Sequence, residues 1–208
     1  KGGASKSDYL STGRSLEQSR QWTQAIDTYL GARAPPGAEG NSSGLSEIVE
    51  LWERAINVAR ANVPNRHVEV TLEVSRRLVD VKRDEAAADV LFEIGRHEEA
   101  VNVCLAAQAY EKAKSLAQGN ATLKKKVNDA YVNRLVDNED TTELVDIGRA
   151  EVAMDVAAKR GDWEKVWDVA TKMRLNPTVV GKYVLQHVDE VSSRFCCYCC
   201  FACGMSII

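Results

Sequence analysis

One short pattern recurs along the chain and constrains its fold more than any other feature. A leading residue is followed three positions later by a small or β-branched residue, and this happens seven times. Successive leading residues at positions 84, 97 and 110, and again at 150 and 163, are thirteen positions apart. Since this is close to the length of a short helix and its turn, the pattern predicts a series of short helices. The pairs are Trp22 and Ala25, Trp52 and Ala55, Asp84 and Ala87, His97 and Ala100, Tyr110 and Ala113, Ala150 and Ala153, and Trp163 and Val166.

The spacing of three has a direct physical meaning on a helix. Positions i and i+3 share one face, so a large side chain stands beside a small one. A neighbouring helix can approach closely over the alanine while the ring fills the space at the turn. Hairpins of such helices bury their apolar faces by stacking on one another. The pattern therefore predicts an all-α chain, an α-solenoid of short antiparallel helix hairpins of the tetratricopeptide-like kind. The alternative is an ordinary helical bundle in which the spacing is a coincidence.

The amino-acid composition and the positions of glycine and proline favour the same fold. Between the four prolines the chain is dominated by Ala, Leu, Glu, Lys, Gln and Arg, which are strong helix formers. Gly95, Gly119 and Gly161 each follow a helical run, where a residue that tolerates positive φ can close the last turn. Pro64 fits the first turn of a helix, and the Pro, Gly and Ser residues of 33–46 predict a loop.

One segment fits two kinds of secondary structure. HVEVTLEV at 67–74 alternates apolar and polar residues in the manner of a strand. However, Val70, Val74 and Leu78 also recur at helical spacing, and an isolated strand would have no partner. We therefore predict a helix over this segment.

Charge and hydropathy argue against several classes of function. The formal net charge is −3, whereas a nucleic-acid surface needs a concentrated basic face to neutralise phosphates. No apolar stretch reaches the roughly 18 residues that a membrane span requires, and residues 1–10 lack the apolar core of a secretory signal. The sequence is typical of a cytosolic protein. Because it begins with Lys1, in what already looks like a helical pattern, we expect a fragment of a longer chain.

The sequence predicts neither an enzyme nor a cofactor site. His67, His97 and His187 are far apart in sequence, and no zinc-protease, phosphate-loop or serine-hydrolase motif occurs. We therefore expect no catalytic residue, no metal ligand, no cofactor and no small-molecule substrate.

Other charged or reactive side chains are interpreted as structural. The acidic segment VDNEDTTE at 136–143 lacks the spacing of a calcium loop and is interpreted as a turn between helices. The lysines at 124–126 and the pair Arg76 and Arg77 are interpreted as solvated helix faces. Cys104 lies in an alanine-rich helix and is expected to be a small buried apolar side chain.

The last eighteen residues, 191–208, depart from the rest of the chain. Zinc binding by the cysteine pairs would need a second pair at a suitable distance, and a reducing cytosol disfavours disulfides. Val191 and Ser192 are the residues that a splice-donor sequence would encode, so we interpret 191–208 as a translated intron outside the solenoid of residues 1–190. An acylated or metal-binding tail is the alternative. The tail contains five of the six cysteines, namely Cys196, Cys197, Cys199, Cys200 and Cys203.

Several segments, taken in order, resemble a known family. They are WTQAIDTYL at 22–30, EAAADVLFEIGRHEEAVNVCLAAQAYEKAKSLA at 85–117, VAAKRGDWEKVWDVATKM at 156–173 and KYVLQHV at 182–188. They resemble the peripheral subunits of intraflagellar transport complex B, in which WD40 propellers precede a long tetratricopeptide-like α-solenoid. The resemblance covers residues 5–190 and is carried by the ordered series, because related solenoids of vesicle coats use similar helices.

The resemblance implies a non-enzymatic scaffold or adaptor for cilium assembly and cargo transport. Its partners would be other subunits of the intraflagellar transport complex, bound through protein–protein contacts. Its location would be the cilium or flagellum and the basal body, with a cytoplasmic pool. One alternative is a coat-type or generic tetratricopeptide adaptor in vesicle trafficking, and a remote one is a zinc-binding protein that uses the C-terminal cysteine cluster.

Overall fold

The computed structural model describes the backbone of residues 6–34, 37–39 and 43–202, and the side chains of 7–34, 37–39 and 44–192. Twelve α-helices account for most of the described backbone, which contains no strand. The predicted all-α fold is therefore confirmed over these residues. In chain order the helices are α1 (Lys6–Gln18), α2 (Trp22–Gly31), α3 (Ser43–Asn62), α4 (Pro64–Asp80), α5 (Asp84–Glu93), α6 (His97–Ala106), α7 (Tyr110–Leu116), α8 (Ala121–Asp137), α9 (Thr141–Asp146), α10 (Ala150–Lys159), α11 (Trp163–Lys172) and α12 (Pro177–Ala202).

The ambiguous segment at 67–74 lies within α4, so the prediction of a helix there is confirmed. Val70, Val74 and Leu78 are buried, while Val68 is 45% exposed. Burial thus follows helical spacing, and the apparent alternation of the segment comes from valines on both faces of the helix. Pro64 is the first residue of α4, the position at which its missing N–H costs no hydrogen bond.

The segment predicted as a loop at 33–46 spans the connection between α2 and α3. Helix α3 already begins at Ser43, inside the predicted bounds. Leu45, Val49 and Trp52 recur at helical spacing and are buried, so the apolar face of α3 begins within its first turn. Because these apolar residues pack into the core, α3 begins earlier than the Gly and Ser residues of the predicted loop indicate.

The chain divides into two compact units, of which the first ends at Asn128 and the second begins at Asp129, within α8. In the first unit each of the helices α1 to α6 packs against the helix that follows it, and in the second unit each of the helices α9 to α11 does so. Each unit is therefore built from consecutive helix pairs that share a core, which is the packing of an α-solenoid.

The core of the first unit consists of two clusters. One joins α2 to α5 around Tyr29, Trp52 and Leu78. The other joins α5 to the first part of α8 around Cys104 and Val127. The second unit has one core cluster, which surrounds buried side chains of α8 to α12 that include Leu144, Met154 and Tyr183.

Eight of the helices end in one recurring turn. Eight described residues at these ends have positive φ, and the N–H of the residue after each one donates to a carbonyl five positions back. This is the hydrogen bond of a Schellman cap. Seven of the eight stand two positions before the first residue of the next helix. The eight are Arg20, Lys82, Gly95, Gln108, Glu139, Gly148, Gly161 and Arg174.

These turns confirm two of the three predicted glycine caps. Gly95 and Gly161 have φ of 79° and 72°. Gly119, however, is not among the residues with positive φ, so that prediction is wrong. The connection is closed instead by Asn120, whose Oδ1 accepts from the backbone N–H of Thr122 at 3.0 Å and of Leu123 at 3.1 Å. A side-chain cap at the start of α8 replaces a glycine cap at the end of α7.

Candidate protein-interaction grooves

The small residues of the sequence pattern all lie in the cores of the two units. None of their side chains has any exposed surface. Six of them are the fourth residue of a short helix. These residues are Ala25, Ala55, Ala87, Ala100, Ala113, Ala153 and Val166, of which Ala55 is the exception in position.

Six of the seven leading residues are the first residue of a helix. The exception is Trp52, which lies in the middle of α3 and is buried. Its indole N–H donates to the carbonyl oxygen of Ala32 at 3.1 Å, and the guanidinium of Arg77 lies 5.6 Å from its ring centre. Trp52 therefore anchors the chain after α2 to α3, a different role from that of the leading residues at helix starts.

The other aromatic leading residues are less buried than the small residues that follow them. Trp22, Tyr110 and Trp163 are half-buried, and His97 is exposed. The ring of His97 packs edge-on against Phe92 across the turn between α5 and α6, with ring centres 4.3 Å apart. The leading residues thus lie at the turns.

Sequence reasoning missed one copy of the pattern, in α9. Thr141 begins this helix two positions after Glu139, which has positive φ, and Leu144 is fully buried three residues later. Because the leading residue is threonine and the follower leucine, neither matched the aromatic and alanine pattern. Asp140 carries the signal that could have revealed it, since its carboxylate accepts from the N–H of Glu143 at 3.0 Å and caps the helix.

Helices α2, α4 and α6 of the first unit, with Leu91 of α5, line a continuous groove, which we call the α2–α6 groove. It consists of two depressions of about 490 and 330 Å³ that share Leu72 and Arg76. Its aliphatic lining comes from Leu30, Val70, Leu72, Val79, Leu91 and Val103. Its charged lining comes from Glu69, Glu73, Arg76, Asp80, Arg96 and Glu99.

Helices α1, α3 and α5 line a second groove with a contribution from α4, which we call the α1–α5 groove. Its two depressions, of about 560 and 300 Å³, share Glu53 and Asn57. Several of its charged side chains already pair with one another, as Arg54 does with Glu17 and Arg60 with Glu93. The α1–α5 groove is therefore the more polar of the two, with much of its charge neutralised within the chain.

The charges of the α2–α6 groove are largely open to solvent. Arg76 forms an ion pair with Glu73 of the same helix at 3.6 Å, and Arg96, just before α6, forms one with Glu99 at 2.9 Å. The arginine side chains remain 73% and 50% exposed, so these pairs are weakly held. Four carboxylates and two guanidinium groups line the groove. Glu69 and Glu73 also pair with Arg66 and Arg77 beside it, at 3.5 and 2.9 Å, so the exposed carboxylate of Asp80 is the charge that most favours a basic side chain on a ligand.

A polar cluster that sequence reasoning also missed joins α1, α2 and α3. Arg54 donates from Nε and Nη2 to the two carboxylate oxygens of Glu17, and the hydroxyl of Tyr29 donates to the same carboxylate. Burial raises the pKa of Tyr29, and the Glu17 carboxylate raises it further, to about 12. Burial also acts to raise the pKa of Glu17, but the hydrogen bonds from Arg54 and Tyr29 outweigh it and hold that pKa below its usual value.

Two clusters in the second unit fasten α12 to the helices before it. The hydroxyl of Tyr183 donates to Oδ1 of Asp155 at 2.7 Å, and Lys182 donates to the same oxygen at 2.9 Å. Farther along α12, Glu190 accepts from the indole N–H of Trp163 at 3.1 Å. The ring of His187 packs against Trp163 with centres 4.5 Å apart.

The structure shows where the charged and reactive side chains that the sequence singled out lie. Cys104 is fully buried, as predicted, and burial raises its pKa to about 11. Arg77, however, was wrongly interpreted as part of a solvated face. Its side chain is only 12% exposed, and it donates to the carbonyl of Leu30 at 2.5 Å because it packs over Trp52. Lys126 pairs with Glu98 at 3.0 Å.

Over the part of the chain that the structure covers, no three His, Cys, Asp or Glu side chains come close enough together to hold a metal ion. No described helix has the length and apolar content that a membrane crossing requires. The side chains of the tail cysteines, Cys196, Cys197, Cys199, Cys200 and Cys203, lie outside the described residues.

Comparison with known proteins indicates what kind of machinery uses such a segment. A protein of Chlamydomonas reinhardtii is 28% identical over 191 residues, or 91% of this chain. The chain resembles part of intraflagellar transport protein 172. The human and zebrafish (Danio rerio) homologues of that protein are 25% and 26% identical over 192 and 184 residues, or 92% and 85% of this chain. In each case the chain spans about a tenth of the relative's length, and no family model matches it.

The similarity to intraflagellar transport protein 172 extends well beyond any single helix. The four segments that carried the resemblance in the sequence fall in α2, in α5 to α7, in α10 and α11, and in α12. Both units therefore contribute to it. Since the aligned length exceeds 180 residues in each comparison, it also includes residues that line the α2–α6 groove.

Proposed function

We propose that this chain is part of a scaffold or adaptor of the intraflagellar transport machinery, acting in cilium assembly and cargo transport without catalysing a reaction. The names of its relatives and the consecutive helix pairs of both units support this proposal. Its partners are other subunits of the transport complex. It works in the cilium or flagellum and at the basal body, and a pool of it resides in the cytoplasm.

The α2–α6 groove is the proposed binding surface for such a subunit. The observation that carries this assignment is its continuous aliphatic lining, which runs from Leu30 in α2 to Val103 in α6 and is edged by exposed charges. An apolar groove of this kind accepts the apolar side chains of a helix or an extended segment. Because burial of apolar area supplies most of the binding free energy, aliphatic contacts rather than surface ion pairs set the affinity.

The charges of the groove select the partner segment. Asp80 is an exposed carboxylate that attracts lysine or arginine side chains flanking an apolar core. Glu69 and Glu99 are exposed and weakly paired with Arg66 and Arg96, so basic side chains of a partner can compete for them. Such charges mainly steer association and fix the register of the bound segment. The partner is therefore expected to present an amphipathic segment with a basic edge.

A binding experiment with matched variants tests this proposal. The 208-residue chain is immobilised, and the purified subunits of the transport complex are passed over it singly by biolayer interferometry. We expect at least one subunit to bind, and Val103→Glu to weaken that binding at least tenfold, because a carboxylate in the aliphatic lining must be desolvated. The control is Val68→Glu, which changes a 45% exposed valine of α4 outside the groove.

The outcomes separate the proposal from its alternatives. Equal binding by the Val103→Glu and Val68→Glu variants, with unchanged helicity by circular dichroism, would assign the interaction to another surface. Failure of every transport subunit to bind, together with capture of vesicle-coat subunits in the same format, would replace the ciliary function with that of a coat-type adaptor. Asp80→Lys should weaken binding severalfold and reduce its salt dependence, since it removes a steering charge.

A further inference from the structure

We propose that the α2–α6 groove binds a partner helix on which an acidic and a basic side chain lie one turn apart. The acidic side chain pairs with Arg76 and the basic one with Asp80. This inference rests on the proposed function, because it specifies what the same groove recognises. It adds a requirement for an acidic residue on the partner, which a basic edge alone does not contain.

Most charges that line the groove already have a partner within the chain. Three carboxylates have an arginine within 3.5 Å, namely Glu69 with Arg66, Glu73 with Arg77, and Glu99 with Arg96. The bond from Arg77 is the best shielded of the three, since that side chain is only 12% exposed. Arg76 and Asp80 are therefore the two lining charges that are most available to a ligand.

Arg76 supplies the available positive charge. Its guanidinium lies 3.6 Å from Glu73, which is too far for a hydrogen bond, and Glu73 already accepts from Arg77 at 2.9 Å. The Arg76 side chain is 73% exposed and lines both depressions of the groove. A guanidinium group has five N–H donors, so Arg76 can bind a partner carboxylate through two parallel hydrogen bonds.

Asp80 supplies the available negative charge. It is exposed at the last residue of α4, and its carboxylate forms no ion pair or hydrogen bond with the other residues that the structure describes. The helix dipole disfavours an anion at this end of a helix. Arg76 is poorly placed to neutralise it, because an ion pair four positions apart is more favourable when the acidic residue comes first.

The arrangement of the lining side chains favours a helix as the occupant. Arg76 and Asp80 lie in one row of α4, about 6 Å apart along its axis. Val79 lies in the adjacent row and shares the larger depression with Leu91 and Val103. A helix can match both rows, because its residues at i and i+4 form one row and those at i+3 and i+7 form the next. An extended segment turns only alternate side chains toward a surface, and the two charges would fill that single row.

The same two charges exclude other segments. A uniformly basic helix would place a cation against Arg76, and a uniformly acidic one would place a carboxylate against Asp80. Such unfavourable contacts discriminate between partners as effectively as favourable ones do. The aliphatic lining therefore supplies affinity, while Arg76 and Asp80 determine which amphipathic helix is accepted.

Biolayer interferometry with the immobilised 208-residue chain and the transport subunit that binds it tests the role of Arg76. We expect Arg76→Glu to weaken binding about three- to thirtyfold, because an ion pair becomes a like-charge contact. Arg76→Lys keeps the charge and should weaken binding less than about threefold. Lys125→Glu is the matched control, since it makes the same change of charge at an exposed residue of α8 outside the groove, and it should leave the affinity unchanged.

Carbodiimide cross-linking tests the spacing of the partner's charges, because it joins an amine to a carboxylate that contacts it. The amine introduced by Arg76→Lys should couple to one aspartate or glutamate of the bound subunit, which mass spectrometry identifies. We expect a lysine or arginine four positions from that residue in the subunit. Reversing the charge of this basic residue should restore most of the affinity that Asp80→Lys removes from the chain.

The outcomes distinguish this inference from the proposed function. Failure of every subunit to bind, or equal binding by the Val103→Glu and Val68→Glu variants, would overturn both. Binding that Val103→Glu weakens but Arg76→Glu does not would keep the groove as the binding site and overturn the charge selection. Equal losses in Arg76→Glu and Lys125→Glu would do the same, since net charge would then explain them. A coupled acidic residue without a basic residue three or four positions away would exclude the proposed helix.

Discussion

Arg54 holds both carboxylate oxygens of Glu17, at 2.7 Å through Nε and 2.8 Å through Nη2. The two residues are 37 positions apart and join α1 to α3. Tyr29 of α2 donates its hydroxyl to the same carboxylate at 2.5 Å. One carboxylate therefore links the first three helices of the chain, and it does so with the paired geometry that makes an arginine–carboxylate contact strong.

Removing the two hydrogen bonds from Arg54 to Glu17 should weaken the packing of α1, α2 and α3. Arg54→Met keeps much of the aliphatic stem but leaves Glu17, which is 19% exposed, without its cation. We expect a loss of about 1–2 kcal/mol, the lower part of the range for hydrogen bonds to charged groups, because the arginine is 39% exposed. Hydrogen–deuterium exchange should show faster exchange in α1 to α3. Arg76→Met, at a 73% exposed arginine, should leave that exchange unchanged.

Gly13 is required because of Tyr29. A Cβ at Gly13 would lie 2.3 Å from the Tyr29 ring, which is far inside van der Waals contact. Although alanine usually stabilises a helix interior relative to glycine by about 0.5–1 kcal/mol, Gly13→Ala should destabilise the chain by about 1–3 kcal/mol through overpacking. Urea unfolding measures the difference. Gly44→Ala, where the added carbon meets nothing within 4 Å, should not lower stability.

Features that depend on neighbouring residues in the sequence could be predicted, whereas features that form where separate helices meet could not. Ala87, Ala100 and Ala113 are buried because the helical period and the thirteen-residue spacing place them on the inner face, and both quantities can be read locally. The cluster of Glu17, Tyr29 and Arg54 could not be predicted, because it depends on how three helices meet. The α2–α6 groove was missed for the same reason, since it forms between helices.

The turns show a second limit. Glycine predicted the caps at Gly95 and Gly161, but Lys82 and Gln108 adopt the same positive φ without being glycine. Their identity gives no local signal, because the backbone conformation there is imposed by the packing of the helices on either side. Only the position, thirteen residues before and after Gly95, connects Lys82 and Gln108 to the repeat.

The small residues of the repeat should not tolerate enlargement. Ala100 has no exposed surface, so Ala100→Leu forces additional carbons into a filled core and should cost about 1–3 kcal/mol in unfolding free energy. Ala106→Leu, at an exposed residue of the same helix, should change stability by no more than about 0.5 kcal/mol. Equal effects at the two sites in urea unfolding would contradict the assignment of Ala100 to helix packing.

Substitutions at the turns with positive φ should raise the stability of the chain at one position and lower it at another. Lys82 has φ of 61°, a conformation that costs a residue with a side chain roughly 1 kcal/mol. Lys82→Gly should therefore stabilise the chain by about 0.5–1 kcal/mol, less what the unfolded chain gains in entropy. Gly95→Ala, at φ of 79°, should cost a similar amount. Thermal unfolding monitored by circular dichroism should move the midpoint in opposite directions for these two variants.

Tyr29 should make the chain sensitive to alkali. Its pKa is raised from 10 to about 12, chiefly by burial and then by its bond to Glu17. Because the folded-state pKa is the higher one, the stability it contributes is fully present below pH 10 and is lost as the pH rises toward 12. A difference of about two units corresponds to about 2–3 kcal/mol. Urea unfolding at several pH values between 9 and 12 should show this decline.

Tyr29→Phe separates this contribution from the rest of the alkaline response. The variant lacks the hydroxyl, so it should be less stable than the wild-type chain at neutral pH but should lose less stability between pH 10 and 12. Tyr183 also has a raised pKa, from burial and its bond to Asp155, so part of the decline should persist in the Tyr29→Phe variant and diminish further when Tyr183→Phe is added. Parallel pH profiles for the wild-type chain and the double variant would show that neither hydroxyl is linked to folding.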